Sequence, residues 1–196
     1  MKLIITRHGY TEENEAGIFQ GHLPGKLTEE GIEQAKKLAL RLKDEHIDYI
    51  YSSDLARGAD TAKEIAKFHP NTPIEFTTEL RERNLGEFQG KKKSDLGFDN
   101  KSFKVTHIQP KNGETMEQLF DRAKAFLDKI IPKHKDGTVV LVGHNGINKS
   151  LMAVIMGKDY TGIDDIENQH NTGVNIFEID EDRNHKIHIL NDVSHL

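Results

Sequence analysis

Apolar and polar positions along this chain fall into blocks that switch between two periods. Leu3 to Ile5 form a short apolar run, too short for a helix or a membrane span and suited to a buried strand. GTVVLVGH is the most apolar such run, and DYIYSSD and PIEF read as further short strands. Between them the spacing becomes helical. Ile32, Ala35, Ala39 and Leu42 follow Thr28, a candidate N-cap with Glu29 and Glu30 in the first turn. Leu55, Ala59, Ala62 and Ala66 follow Asp54, the expected cap of a second helix. A capping box of Thr115 and Gln118 opens a third, with Met116, Leu119, Ala123, Leu127 and Ile130 facing inward. INKSLMAVIMG predicts a largely buried helix, and GVNIFEI and KIHIL two closing strands. The short EDRNH turn between those strands makes them antiparallel.

Strands alternating with helices predict an α/β domain: three layers, α/β/α, around a mixed, mostly parallel sheet with right-handed crossovers and GTVVLVGH at its centre. The pattern dissolves from Gly86 to Gly113 into lysines, glycines and isolated apolar residues. That stretch is expected to be an insertion forming a small lid, within a single domain spanning 1–196.

Composition narrows the function by exclusion. With 27 basic and 32 acidic residues the formal charge is −5, so the chain carries no general footprint for nucleic acid or membrane. Lys91, Lys92 and Lys93 form the one tight basic run. The absence of cysteine removes disulfides, thiolate metal sites and cysteine nucleophiles. The 11 histidines lack metal-ligand spacing of the HExxH kind, so neither metal nor cofactor is expected. With no targeting segment visible, the expected location is the cytoplasm; the oligomeric state is left open.

Candidate chemistry gathers at strand ends. Arg7 and His8 emerge where the first strand stops, and Gly9 allows a sharp turn. His144 leaves the GTVVLVGH strand in the same way, ahead of Asn145-Gly146 at the start of a helix whose free N–H groups favour an anion. Carboxyl ends of strands are where open α/β sheets bind ligands. Taken singly, Arg7-His8 also suits a polar strand terminus and His144 a hydrogen-bonded core histidine. Arg57 adds a cation in the first turn of a helix, opposing the helix dipole unless something negative lies nearby. Two arginines and two histidines at one sheet edge would make a strong phosphate site, because guanidinium forks match phosphate oxygens.

The stretches ITRHGYTEEN, FQG at 19–21, LTEEGIEQA, YSSDLARGADTA, LRERNLGEFQG and VVLVGHNG, in that order, make the chain resemble the histidine phosphatase superfamily, also called phosphoglycerate mutase-like. The resemblance covers most of the chain apart from 90–112 and the C-terminal strands. It implies that His8 is a nucleophile phosphorylated on Nε2, that Arg7, Arg57 and His144 hold the transferring phosphoryl oxygens, and that Glu82 donates a proton to the leaving oxygen. It further implies phosphate-side or substrate contacts for Thr11, Asn14, Gln20, Gly21 and Asn145. The chemistry is coherent. A neutral imidazole is nucleophilic without a metal-generated hydroxide, fixed cations stabilise the transferring group, and a poor alkoxide leaving group needs an acid beside it.

The chain departs from the family pattern at Tyr10, in place of the usual glutamate, and at Glu13, where an aromatic is common. The segment after Glu82 is shorter than in the cofactor-dependent mutases, lacks their arginine pair, and has Leu85 where they place tyrosine; Gly146 stands where they carry asparagine. The resemblance therefore implies the phosphatase branch: a metal-independent phosphomonoesterase of small phosphorylated metabolites. The alternatives are a cofactor-dependent phosphoglycerate mutase, a non-catalytic binder of phosphorylated ligands, and a metal hydrolase. Lys91, Lys92, Lys93, Lys101 and Lys104 are candidates for contact with a second anionic group.

Overall fold

The computed structural model describes residues 1–98 and 109–196. Lys101 and Lys104 lie outside the described residues. Six strands form one sheet: β1 (Lys2–Arg7), β2 (Tyr49–Ser53), β3 (Ile74–Thr77), β4 (Thr138–Gly143), β5 (Val174–Ile179) and β6 (His185–Asp192). Their spatial order is β3-β2-β4-β1-β5-β6. The first four run parallel, β5 is antiparallel to β1, and β6 returns antiparallel to β5. The sheet is thus mixed and mostly parallel, with the apolar β4 inside it, as the pattern predicts.

The period of two along each strand splits the core between the two sheet faces. Leu3 and Ile5 of β1 and Val139 and Leu141 of β4 face one side. There they pack against α4 (Met116–Lys133) and α5 (Asn145–Ile155). Ile4, Val140 and Val142 face the other side, against α2 (Glu29–Leu42) and α3 (Ala56–Ala66). The result is the three-layer arrangement. All five inward positions named for α4 are buried, and its capping box is formed by Thr115 and Gln118.

Three local expectations are corrected. Ile32 is 41% exposed, because the buried face of α2 runs through Ala35, Leu38, Ala39 and Leu42 instead. Asp54 does not cap α3. Leu55 occupies the cap position without a side-chain bond, and both carboxylate oxygens of Asp54 are taken by Arg81, with Nε to Oδ1 at 2.7 Å. On α3, Ile65 is fully buried where the pattern named the partly exposed Ala66. A charge-assisted, bidentate ion pair outweighs a single capping bond, which accounts for Asp54.

The loop after β1 contains a short helix, α1 (Glu12–Glu15), capped by Thr11. The described part of the 86–113 stretch is bound to the rest of that loop. Phe19 N donates to Lys91 O (3.0 Å) and Gly90 N to Phe19 O (2.8 Å). The isolated apolar residues of the stretch also find a partner in Phe19. Phe98 stands edge-on to Phe19, at 5.6 Å, and to Phe88, at 5.7 Å.

Candidate active site

Parallel pairing of β1 with β4 sets Arg7 opposite Gly143, so the residues that follow, His8 and His144, leave the sheet side by side. Their rings lie 5.0 Å apart, and both are almost wholly buried. Arg57, equally buried, reaches between them from α3. Its Nε–H lies 3.1 Å from His144 Nδ1 and 3.3 Å from His8 Nε2.

These contacts fix the tautomers. His8 Nδ1 is 2.7 Å from the carbonyl of Gly9, which can only accept, so Nδ1 carries the proton and Nε2 keeps its lone pair. His144 Nδ1 accepts from Arg57, which leaves the proton on Nε2, a buried donor with no partner among the described residues. Burial, reinforced by the Arg57 charge, holds both imidazoles well below their ordinary pKa, so both are neutral near pH 7. The pair therefore presents one nucleophilic nitrogen and one N–H donor.

The two arginines differ in how they are committed. Arg57 donates through Nη1 to the carbonyls of Leu23 and Pro24 and through Nη2 to Gly21 (2.9 Å). Its fork holds the 21–24 loop rather than facing an incoming phosphate, while its charge stays between the histidines. Burial draws its pKa down to about 10, still protonated near neutrality. Arg7 spends Nη1 on Gln169 O (2.6 Å), and its Nε is buried without a partner among the described residues. Arg7 is thus the arginine with a donor to spare for an anion.

Glu82 approaches from the other side. Its Oε1 accepts from Arg83 N (2.9 Å) and its Oε2 from Gly146 N (3.1 Å), in the first turn of α5. The helix N–H expected to wait for an anion is therefore given to Glu82. A Cβ at residue 146 would run into Glu82 Oε1, so this docking requires glycine. Arg122 of α4 pins the segment behind Glu82, donating to the carbonyls of Glu79 (2.6 Å), Arg81 (2.9 Å) and Glu82 (3.4 Å).

Arg7, His8, Asn14, Gln20, Gly21, Arg57, Glu82 and Asn145 all border one cavity of about 400 Å³. His144 packs behind His8. Thr11 lies outside the cavity lining: fully buried, its hydroxyl caps α1 and accepts from Gln20 Nε2 at 2.9 Å. Of the basic run, Lys93 borders the cavity, with its ammonium 5.6 Å from the centre of the Phe19 ring, while Lys91 and Lys92 are exposed away from it.

Sequence reasoning missed Lys149, Arg83 and Asn168 as lining residues of the same cavity, along with the apolar lining of Ile18, Phe19, Leu85, Phe98, Met116 and Ile163. Lys149 had a signal: it is the one charged residue in an otherwise apolar, buried helix segment. Among the described residues, five cations and a single carboxylate line the cavity of a chain whose formal charge is −5. A cavity so biased, in low-dielectric walls, focuses a field for anions. Among the described residues no group of three or more His, Asp or Glu is placed to hold a metal ion, and no helix is long and apolar enough to cross a membrane.

Comparison with known proteins agrees with this geometry. The sequence model of the histidine phosphatase superfamily, branch 1, matches residues 3–192. Phosphoglycerate mutase-like protein 4 of Arabidopsis thaliana is 34% identical, over 100% of this chain and 86% of the relative. The metal-independent phosphoserine phosphatase of the same plant is 32% identical, over 100% and 83%. The solved structure of Bacillus stearothermophilus YhfR superposes with a TM-score of 0.89 at 29% identity, covering 99% of this chain and 98% of that one. The chain belongs to the histidine phosphatase superfamily, branch 1, as a phosphatase of small phosphorylated metabolites.

Proposed function

We propose that the chain hydrolyses phosphomonoesters in the cytoplasm through a phosphohistidine at His8, with no metal ion in the reaction. The observation that carries this reading is the fixed tautomer pair: His8 Nε2 keeps its lone pair in a cationic cavity, engaged only by the longer, 3.3 Å arm of an Arg57 N–H shared with His144, and His144 Nε2–H is a buried donor. In the first step His8 Nε2 attacks phosphorus and the bond to the ester oxygen breaks. Arg7, the Arg57 charge and His144 Nε2–H stabilise the transferring oxygens, and Glu82 gives its proton to the leaving alkoxide. In the second step water attacks phosphorus, Glu82 takes the water's proton, the P–N bond breaks, and neutral His8 returns as inorganic phosphate leaves. Asn14, Gln20, Gly21 and Asn145 shape the cavity, Thr11 hydrogen-bonds Gln20, and the described part of the 86–113 stretch serves as a lid within a single domain spanning 1–196.

Rapid mixing with p-nitrophenyl phosphate, followed by acid-free quenching, should trap one acid-labile phosphoryl group per chain, absent from His8→Ala. Turnover should persist in chelator. Activity lost on chelation and restored by a divalent metal would overturn the reading. Hydrolysis should also exceed interconversion of 2- and 3-phosphoglycerate assayed with bisphosphoglycerate. A mutase rate orders of magnitude above the best hydrolysis rate would assign the chain to mutase chemistry instead.

A further inference from the structure

Lys149 lies one helical turn beyond Asn145 on α5, is 4% exposed, and borders the cavity. Its ammonium has a single long hydrogen bond, 3.5 Å to Asn168 Oδ1, an oxygen that also accepts from Asn145 Nδ2 at 3.2 Å. No carboxylate among the described residues pairs with it. Burial lowers its pKa, and the negative charges acting on it are Asp164, which does not line the cavity, and Glu82. A buried ammonium held by one amide oxygen is costly unless an anion completes it. Gly146, three positions earlier on the same helix, gives its N–H to Glu82, the proposed proton donor to the leaving oxygen, so Lys149 follows on the helix face that Glu82 contacts.

We infer that Lys149, with Asn145 and Asn168, binds a second anionic group on the alcohol half of the phosphomonoester. This rests on the hydrolase reading above and names its substrate class: a small phosphorylated alcohol bearing a carboxylate or a second phosphate. Glu82 is the one carboxylate among the described lining residues, and it is committed to the leaving oxygen. A substrate ammonium would meet five lining cations against that one carboxylate, which disfavours a phosphorylated amino acid relative to the corresponding hydroxy acid.

The test compares kcat/KM of wild type, Lys149→Met and Lys149→Arg on four probes. 3-Phosphoglycerate carries a carboxylate, propane-1,3-diol bisphosphate a second phosphate, glycerol 3-phosphate neither, and O-phosphoserine a carboxylate with an ammonium. Lys149→Met should lose about 10- to 100-fold on the probe whose second anionic group the site takes, the worth of a charge-assisted hydrogen bond, and under about threefold on glycerol 3-phosphate. The probe showing the selective loss identifies the second anion. Lys149→Arg should recover most of it, and wild type should favour 3-phosphoglycerate over O-phosphoserine. Equal losses on all probes, or wild-type preference for glycerol 3-phosphate or O-phosphoserine, would overturn the inference. Trapping of phosphohistidine from p-nitrophenyl phosphate by both variants keeps that failure distinct from failure of the hydrolase reading.

Discussion

Glu82 and Gly146 are fitted to one another. The carboxylate of Glu82 takes the Gly146 N–H at 3.1 Å, and a side chain at 146 would occupy the place of Oε1. Because the φ angle of Gly146 is not in the left-handed region, its glycine serves this approach rather than a turn. The proposed general-acid position is therefore built by two elements distant in sequence.

Substitution at either residue should separate substrates by their leaving group. Glu82→Gln should slow alkyl phosphates by about 10²–10⁴-fold, the usual worth of general acid catalysis, and aryl phosphates far less, because nitrophenolate leaves without a proton. Gly146→Ala, which the helix backbone accepts, should show the same pattern more weakly by displacing Glu82. Steady-state rates on glycerol 3-phosphate and p-nitrophenyl phosphate decide this; equal losses on both would assign the pair a structural role.

Arg122 offers a second way to disturb the same group without entering the cavity. Its guanidinium satisfies carbonyls of Glu79, Arg81 and Glu82 and pairs with Glu114 at 2.8 Å. Arg122→Ala should cost about 1–3 kcal/mol in urea unfolding, since these acceptors lose their partner. Its kcat should fall more on alkyl than on aryl phosphates. Arg122→Lys should restore little, because an ammonium cannot span carbonyls that a planar fork spans. Unchanged stability with unchanged substrate discrimination would show that the segment holds itself in place.

The buried histidines make stability depend on pH in a defined direction. In the unfolded chain His8 and His144 take up protons near pH 6.5, whereas burial beside Arg57 keeps them neutral in the fold to much lower pH. Below about 6.5 the unfolded chain binds more protons, so stability is full above that value and falls as pH drops. The fall is at most about 1.4 kcal/mol per pH unit for each histidine. Urea unfolding at pH 5, 6 and 7 should give a shallower slope for His8→Asn or His144→Asn than for wild type. Identical slopes would mean that neither imidazole resists protonation in the fold.

The sequence by itself determined the layers and named residues that meet at the candidate site. The continuous apolar run at 139–142 and the 3.6-period stripe Met116 to Ile130 are local signals enforced by burial, so β4 and α4 appear where the pattern puts them. His8, Arg57, Glu82 and His144 were legible because they sit in short stretches whose order along the chain matches a family. Tertiary structure decided what those residues could do. Asp54 prefers Arg81, 27 positions away, to the helix it precedes, and the Arg57 fork turns to carbonyls of the 21–24 loop. The tautomers of His8 and His144 follow from a carbonyl and a guanidinium that no spacing rule brings together. Lys149 became a cavity residue only once α5 packed beside Asn168, since a lysine's partners depend on long-range placement rather than on its neighbours in the chain.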